Sequence, residues 1–400
     1  MINIVEKELN LTFPPGHHQH CLVCQVPSNL QRRDGIFKIS DANKQWAQVR
    51  SILELVAEGK GNLKKLHFVF LPESIMPASA VPEALELIER SFRPNTVTVF
   101  GVEHIRLSEY RQHLLRYQQD NAEALASVDE DMEAGDIDPV PVNWCVVAVK
   151  ENDGRLRVFL EAKSHPFVGE ETFDHQHDLY RGKIFTLFRC HPTCFNFMTL
   201  ICLDYVYRDL YQSNIGTIID KANQLFFETR QRLDLLAIIQ CNPKPEHRAF
   251  RDVVNGFYGE YLSYTPGVRD TSTVFCNVAN GTSCEGISAD TRFGNSSVIL
   301  HDSHRLEPQK CAEFATDDFD GLPVCRLRFG TEPRLYFFNL PLFQELDPRT
   351  TRMQLKIHSI YRPDQHENWV RMAGEELTLS SKGASPPRKK TSIPKPGVAE

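Results

Sequence analysis

A carboxylate, an amine and a thiol stand in that order along this chain, each at the end of an apolar, strand-like run. Glu73 ends F-V-F-L-P-E, Lys163 ends R-V-F-L-E-A-K and Cys202 ends F-M-T-L-I-C. These are the parts of acyl transfer through a thioester: a thiolate attacks a carbonyl carbon, a base takes the thiol proton, and a cation holds the oxyanion. A free thiol with a pKa near ~8.5 is only slightly ionised at neutral pH. Cys202 therefore needs a base or a cation beside it, and Glu73 and Lys163 suit those roles. Taken singly, each has a plainer reading: one buried thiol among eleven, a surface carboxylate, a solvated lysine.

The elements that must position these groups read as an α/β pattern. C-L-V-C-Q-V (Cys21 to Val26) is a short strand, and Gln45 to Ala57 places Trp46, Val49, Ile52, Leu53 and Val56 at helical spacing. Gly59 and Gly61 close that helix. Leu66 to Leu71 is a continuous apolar run, as in a strand buried on both faces. Val81 to Arg90 is a second helix and Thr96 to Val102 the next strand. Residues 105 to 140 interrupt the pattern with a helix (Leu107 to Ala126) and an acidic stretch, read as a surface insertion whose second half is loose. Two strands then flank a hairpin turn at Asp153-Gly154. The Cys202 strand follows, then a helix over Asn214 to Phe227, a buried strand over Asp234 to Gln240 and three later strands. The pattern decays from about Tyr361, and the Ser-, Pro- and Lys-rich stretch Ser380 to Gly397 reads as a solvated tail.

Composition narrows the function classes. The 400 residues are 41% hydrophobic and 24% charged, an ordinary globular balance. A net charge of -7 argues against nucleic acid as the main ligand. No run of 18 apolar residues exists, so no membrane span is expected. Eleven cysteines at irregular spacing, without a secretory signal, read as free thiols in a reducing compartment, and hence a cytoplasmic protein. Two segments imitate metal sites. His18, His20, Cys21 and Cys24 offer soft ligands at short spacing, yet Cys21 and Cys24 would fall on opposite faces of a strand. Asp174 to Asp178, D-H-Q-H-D, better suits a substrate loop. No metal or cofactor is expected.

Taken together, the segments resemble the nitrilase, or carbon-nitrogen hydrolase, superfamily. Glu, Lys and Cys occur in that family's order and local contexts: F-V-F-L-P-E, K-S-H-P-F-V-G-E-E and L-I-C-L-D. N-W-C-V-V-A-V-K-E-N-D-G resembles the family's Asn-led strand and its D-G turn. L-L-A-I-I-Q-C-N-P-K-P, V-A-N-G and F-G-N-S-S-V-I resemble its later strands. The similarity runs from about Cys21 to Leu340, so the family domain is placed at residues 1 to 347, with a C-terminal extension over 348 to 400.

The resemblance implies a single-domain, four-layer α-β-β-α sandwich that commonly pairs through its helices. It implies Glu73 as general base, Cys202 as nucleophile, and Lys163 with the Leu203 backbone N–H as oxyanion donors. It makes Glu171, eight residues beyond Lys163, a second glutamate that positions substrate or tunes Lys163 and Glu73. The expected substrate is a small amide or carbamoyl compound. Leu203-Asp204 after the thiol, where nitrile hydrolysers usually have Trp-Glu, speaks for amides over nitriles. Val206 stands where many members carry arginine, and the family's R-A-x-E-N-like helix is not recognisable in V-V-N-G-F-Y-G-E-Y-L. These departures keep open a non-catalytic, nitrilase-like binding module, of the sort that occurs in bacterial defence systems. Acyl transfer to an amine in place of water shares the first half-reaction.

Overall fold

The protein's structure, a computed structural model, describes residues 2–13, 18–135, 140–166, 179–207, 213–229, 231–243, 265, 267–268, 271–288, 290–300, 311–319, 322–328, 330–341 and 355–372. Among these residues two eight-stranded sheets lie face to face. In one, the spatial order is β1 (Asn3–Leu11), β9 (Ile184–Pro192), β10 (Phe195–Ile201), β11 (Leu235–Gln240), β12 (Ser272–Asn277), β14 (Ser297–Ile299), β16 (Leu322–Leu327) and β15 (Phe314–Phe319). In the other it is β19 (Trp369–Arg371), β18 (Lys356–Pro363), β17 (Arg334–Pro341), β2 (His18–Gln25), β5 (Phe68–Phe70), β6 (Thr96–Arg106), β7 (Pro141–Lys150) and β8 (Leu156–Ala162). A small third sheet joins β13 (Ser283–Cys284), β3 (Asn29–Arg33) and β4 (Ile36–Ile39).

Side-chain alternation builds the layers. On β10, Phe195, Phe197 and Ile201 enter the core between the sheets, whereas Met198 and Leu200 face outward. On β5, Phe68 and Phe70 point inward and Val69 outward. Strands buried on both faces carry this period with no polar residue to mark it, which is why they read as continuous apolar runs. Helices cover both outer faces. Helix α1 (Ala42–Glu58), α2 (Val81–Ser91), α3 (Leu107–Arg116) and α4 (Gln118–Ala134) pack on the β5–β8 side, and α5 (Asn214–Phe226) on the β10–β11 side. The architecture is thus the four-layer α-β-β-α sandwich that the resemblance implied. Cys21 faces the inner layer and Cys24 the outer one, as the strand period required.

Two expectations need correction. Ser127 to Ala134 of the acidic stretch are helical rather than loose: α4 continues to Ala134, and a break at Tyr117 divides the expected single helix in two; residues 136–139 lie outside the described residues. Leu107, Tyr110, Leu114, Leu125 and Val128 bury themselves in the outer core, so the acids occupy a solvated helix face. The pair also closes a sheet edge. The N–H groups of Val158 and Leu160 on edge strand β8 donate to Asp120 Oδ2 (3.1 Å) and Asn121 Oδ1 (2.8 Å). Their carbonyls accept from Asn121 Nδ2 (2.8 Å) and Tyr110 Oη (3.2 Å). Removing Asn121 orphans buried backbone groups, each costing ~1–3 kcal/mol. Asn121→Ala is therefore expected to lower stability by about 2–4 kcal/mol, measured as the shift in a urea unfolding midpoint. The second correction is at the C-terminus. β18 pairs antiparallel with β17, and β19 with β18, so the sheet continues through Arg371 rather than ending near residue 347. The Ser-, Pro- and Lys-rich tail lies outside the described residues.

Candidate active site

Glu73 sits in a turn leaving β5, and β6 holds that turn. Gly101 N donates to the Pro72 carbonyl (3.0 Å), and the Gly101 carbonyl accepts from Ile75 N (3.2 Å) and Met76 N (3.0 Å). Ser74 takes a left-handed φ of 52°. The approach demands a glycine on β6, because a Cβ on Gly101 would collide with the Glu73 Cα and lie 2.7 Å from Ser74 N. Gly101→Ala is expected to displace the Glu73 turn. A misplacement of about 1 Å at a reacting group costs about 100-fold in rate, readable as a fall in kcat with a folded circular-dichroism spectrum.

The Glu73 carboxylate is buried and accepts three donors. Oε1 receives Lys163 Nζ (2.9 Å) and Asn143 Nδ2 (2.7 Å), and Oε2 receives the Cys241 backbone N–H (2.7 Å). Lys163 follows β8 and is fully buried. Its backbone N–H donates to the Asn143 carbonyl (2.8 Å) and its carbonyl accepts from Gly182 N (2.9 Å). Gly182 is again forced, since its Cβ would strike the Ala162 carbonyl. Three strand ends of one sheet (β5, β7 and β8) thus converge on one carboxylate.

Cys202 arrives from the opposite sheet. It follows β10 and opens a short 3-10 turn, Cys202–Tyr205, with a left-handed φ of 49°. A non-glycine residue there is unusual, and such strain clusters at functional turns. Leu203, the expected oxyanion donor, is the next residue of this turn. Asp204 of this turn accepts from the backbone N–H groups of Ser164 (3.0 Å) and His165 (3.1 Å), which follow Lys163, so the Cys202 turn is tied to the Lys163 segment. Cys241, whose N–H bonds Glu73, lies just past β11. Burial and the Glu73 charge push the Cys241 thiol well above the usual range. A cavity of about 20 Å³ beside Glu73 is walled by Leu30, Phe37, Asn143, Cys241, Cys284 and Ile287. It has room for about one water.

Two buried carboxyls flank this centre. Burial raises Asp204 from 3.8 to about 7, opposed by hydrogen bonds from Ser164 and by the Lys163 charge. Burial likewise raises Glu161 to about 7, against hydrogen bonds from Thr199 and Thr186. A carboxyl whose folded pKa exceeds its unfolded value of about 4 binds its proton more tightly in the folded state. Stability is then greatest below about pH 4 as far as these two groups go, and falls as pH rises to about 7. Glu161→Gln is expected to flatten its share of that slope, checked by urea midpoints across the window.

The structure joins Glu73 directly to Lys163 and ties the turn that carries Cys202 to the residues after Lys163. Asn143 and the Cys241 N–H join Lys163 as carboxylate donors. Sequence reasoning quoted both segments as family-like without giving either residue a task. Glu171, the D-H-Q-H-D segment and V-V-N-G-F-Y-G-E-Y-L lie outside the described residues. Among those described, no group of three or more His, Cys, Asp or Glu side chains is arranged to hold a metal ion, and no helix is long and apolar enough to cross a membrane.

Sequence comparison finds no matching family model and no matching curated protein. Among solved structures, an amidase of the nitrilase superfamily from Nesterenkonia aligns at 12% identity and a TM-score of 0.45, covering 82% of this chain and 93% of that one. A CN-hydrolase superfamily protein of Xanthomonas campestris, with an arsenic adduct in its active site, aligns at 13% identity and a TM-score of 0.43, covering 81% and 91%. Scores at this level bear no weight on activity; the layer order and the converging strand ends of the chain itself decide its fold type. The chain is a four-layer α-β-β-α sandwich by its own sheet order and helix placement.

Proposed function

We propose that this chain is a nitrilase-superfamily amidohydrolase that cleaves a C–N bond of a small amide or carbamoyl compound through a Cys202 thioester. The observation carrying this reading is the buried Glu73 carboxylate, gripped by Lys163 and Asn143, with the left-handed Cys202 turn tied through Asp204 to the residues after Lys163. Glu73 takes the Cys202 proton as Sγ bonds the carbonyl carbon. Lys163 and the Leu203 N–H receive the oxyanion, a donor worth about 3 kcal/mol each. The tetrahedral centre collapses, the C–N bond breaks, and Glu73 returns its proton to the leaving amine. Glu73 then deprotonates water, which attacks the thioester and releases the acid and the thiol. Asn143 and the Cys241 N–H keep the carboxylate aimed through both halves. Glu171 belongs to the proposed set as substrate-positioning carboxylate. Eleven free thiols fit a reducing compartment, and Leu203-Asp204 favours amides over nitriles.

The test is intact-mass measurement after mixing with an amide and carbamoyl library. Acyl adducts localised to Cys202 are expected. In parallel, iodoacetamide at neutral pH is expected to label Cys202 well ahead of the other buried thiols, with exposed Cys194 as the internal reference. No adduct with any library member, together with Cys202 labelling no faster than the other buried thiols, would leave a non-catalytic binding module as the better account.

A further inference from the structure

Two carboxylates that the thioester cycle does not use lie on either side of the catalytic lysine. Glu161 precedes Lys163 by two residues on the same inward face of β8 as Phe159. It reaches across the sandwich, accepting from Thr186 N (3.1 Å) on β9 and from the Thr199 hydroxyl on β10. Thr199 stands three residues before Cys202. Asp204, two residues after Cys202, reaches back. Its Oδ1 accepts from Ser164 N (3.0 Å), Ser164 Oγ (2.7 Å) and His165 N (3.1 Å), the two residues that follow Lys163. Asn214, the first residue of α5, ties both turns from behind: its Nδ2 donates to the Asp204 carbonyl (3.0 Å) and to Ser164 Oγ (3.1 Å).

Both carboxyls are nearly inaccessible, at 4% and 1% exposure. Burying them costs free energy that an apolar pair of the same volume would not. The direct hydrogen bonds are neutral ones, a hydroxyl and an amide to Glu161 and a hydroxyl and two amides to Asp204, with the His165 ring Nδ1 3.9 Å from Asp204 Oδ1. Their positions share one pattern. One clasp binds before Lys163 and before Cys202, the other after Lys163 and after Cys202. Each spans the two sheets that carry the two groups.

We propose that Glu161 and Asp204 are positioning residues that fix Lys163 relative to Cys202 across the sandwich. The inference rests on the thioester reading above. The two sheets meet through apolar side chains, and such contacts are non-directional. A directional hydrogen bond at each end of the catalytic pair supplies the sub-ångström register that oxyanion stabilisation needs.

The experiment compares wild type with Glu161→Ala, Asp204→Ala and Asp204→Asn, using an amide that acylates the wild type. The alanine variants are expected to lose about 100-fold in kcat with KM within about threefold, because substrate still binds while the oxyanion donor is misplaced. Asparagine keeps an Oδ1 acceptor for all three donors, so Asp204→Asn is expected to recover kcat to within about tenfold of wild type. Alkylation of Cys202 by iodoacetamide should persist in every folded variant, since none of them alters the proposed base Glu73. Unchanged kcat in folded alanine variants would overturn the proposal. So would equal losses in Asp204→Asn and Asp204→Ala, which would mark a structural charge rather than an aimed acceptor. Should the alanine variants not fold, Asp204→Glu serves in their place: its extra methylene pushes Ser164 away and must lower kcat with KM held, or the clasp is refuted. A wild type that forms no thioester and labels indifferently would remove the catalytic reading itself, and the clasp with it.

Discussion

Cys202→Ala is expected to lower kcat/KM by about ten-thousandfold or more and to abolish the acyl adduct in intact-mass spectra. Removing a nucleophile that acts as one unit with its base costs nearly as much as removing the whole constellation. Burial and the Glu73 charge raise the Cys241 thiol well above the usual range, which disfavours it as a substitute nucleophile. The fold should survive, because alanine occupies the same volume short of one sulfur. It keeps a left-handed φ that cysteine already tolerates. A melting temperature within a few degrees of wild type, with turnover gone, is the expected pair of results. Retained turnover would mean that the thiol is a bystander in the reaction.

The second large effect is at Lys163. Lys163→Met keeps the length and apolar stem of the side chain but leaves the Glu73 carboxylate buried without its cation. Breaking a buried ion pair from one side costs about 3–5 kcal/mol, and this pair is 0% and 4% exposed. Loss of one oxyanion donor adds about 100- to 1,000-fold in kcat. The two losses separate in the double variant. Glu73→Gln with Lys163→Met removes both charges, so stability should return toward wild type in a thermal melt while activity falls further. Should the single Lys163→Met be as stable as wild type, the ion pair would contribute nothing to folding, and the buried geometry would need another origin.

What the sequence revealed and what it hid divide along physical lines. Glu73, Lys163 and Cys202 were legible because each ends an apolar, strand-like run, and a strand end is where a reactive group meets solvent-lined loops. The layer order followed from apolar runs alternating with amphipathic helices. Asn143 was hidden because its strand is buried on both faces: an asparagine leading such a run carries no sign that its amide turns toward a glutamate seventy residues away. Gly101 and Gly182 were hidden for a different reason. A glycine inside a strand pattern signals a bulge or a close approach, but only the packed fold shows what approaches. β1 was missed because N-I-V-E-K-E-L-N-L is half polar, as an edge strand facing water must be. The acidic helix was misread because its charge suggested solvation of the backbone, whereas it solvates only the outward face.

That helix has a further consequence. A strand at the margin of a sheet normally offers a row of unsatisfied amides and carbonyls, a template on which a second chain can add. At Val158 and Leu160 the template is already written over, by an aspartate, an asparagine and a tyrosine standing where a neighbouring strand would lie. The side chains of α3 and α4 act there as a counterfeit ninth strand. It satisfies the margin and presents no amide row of its own for another chain to copy. Strand addition between copies of this protein is closed along that part of β8, and Asn121→Ala, beyond loosening the fold, would reopen it to polymerisation.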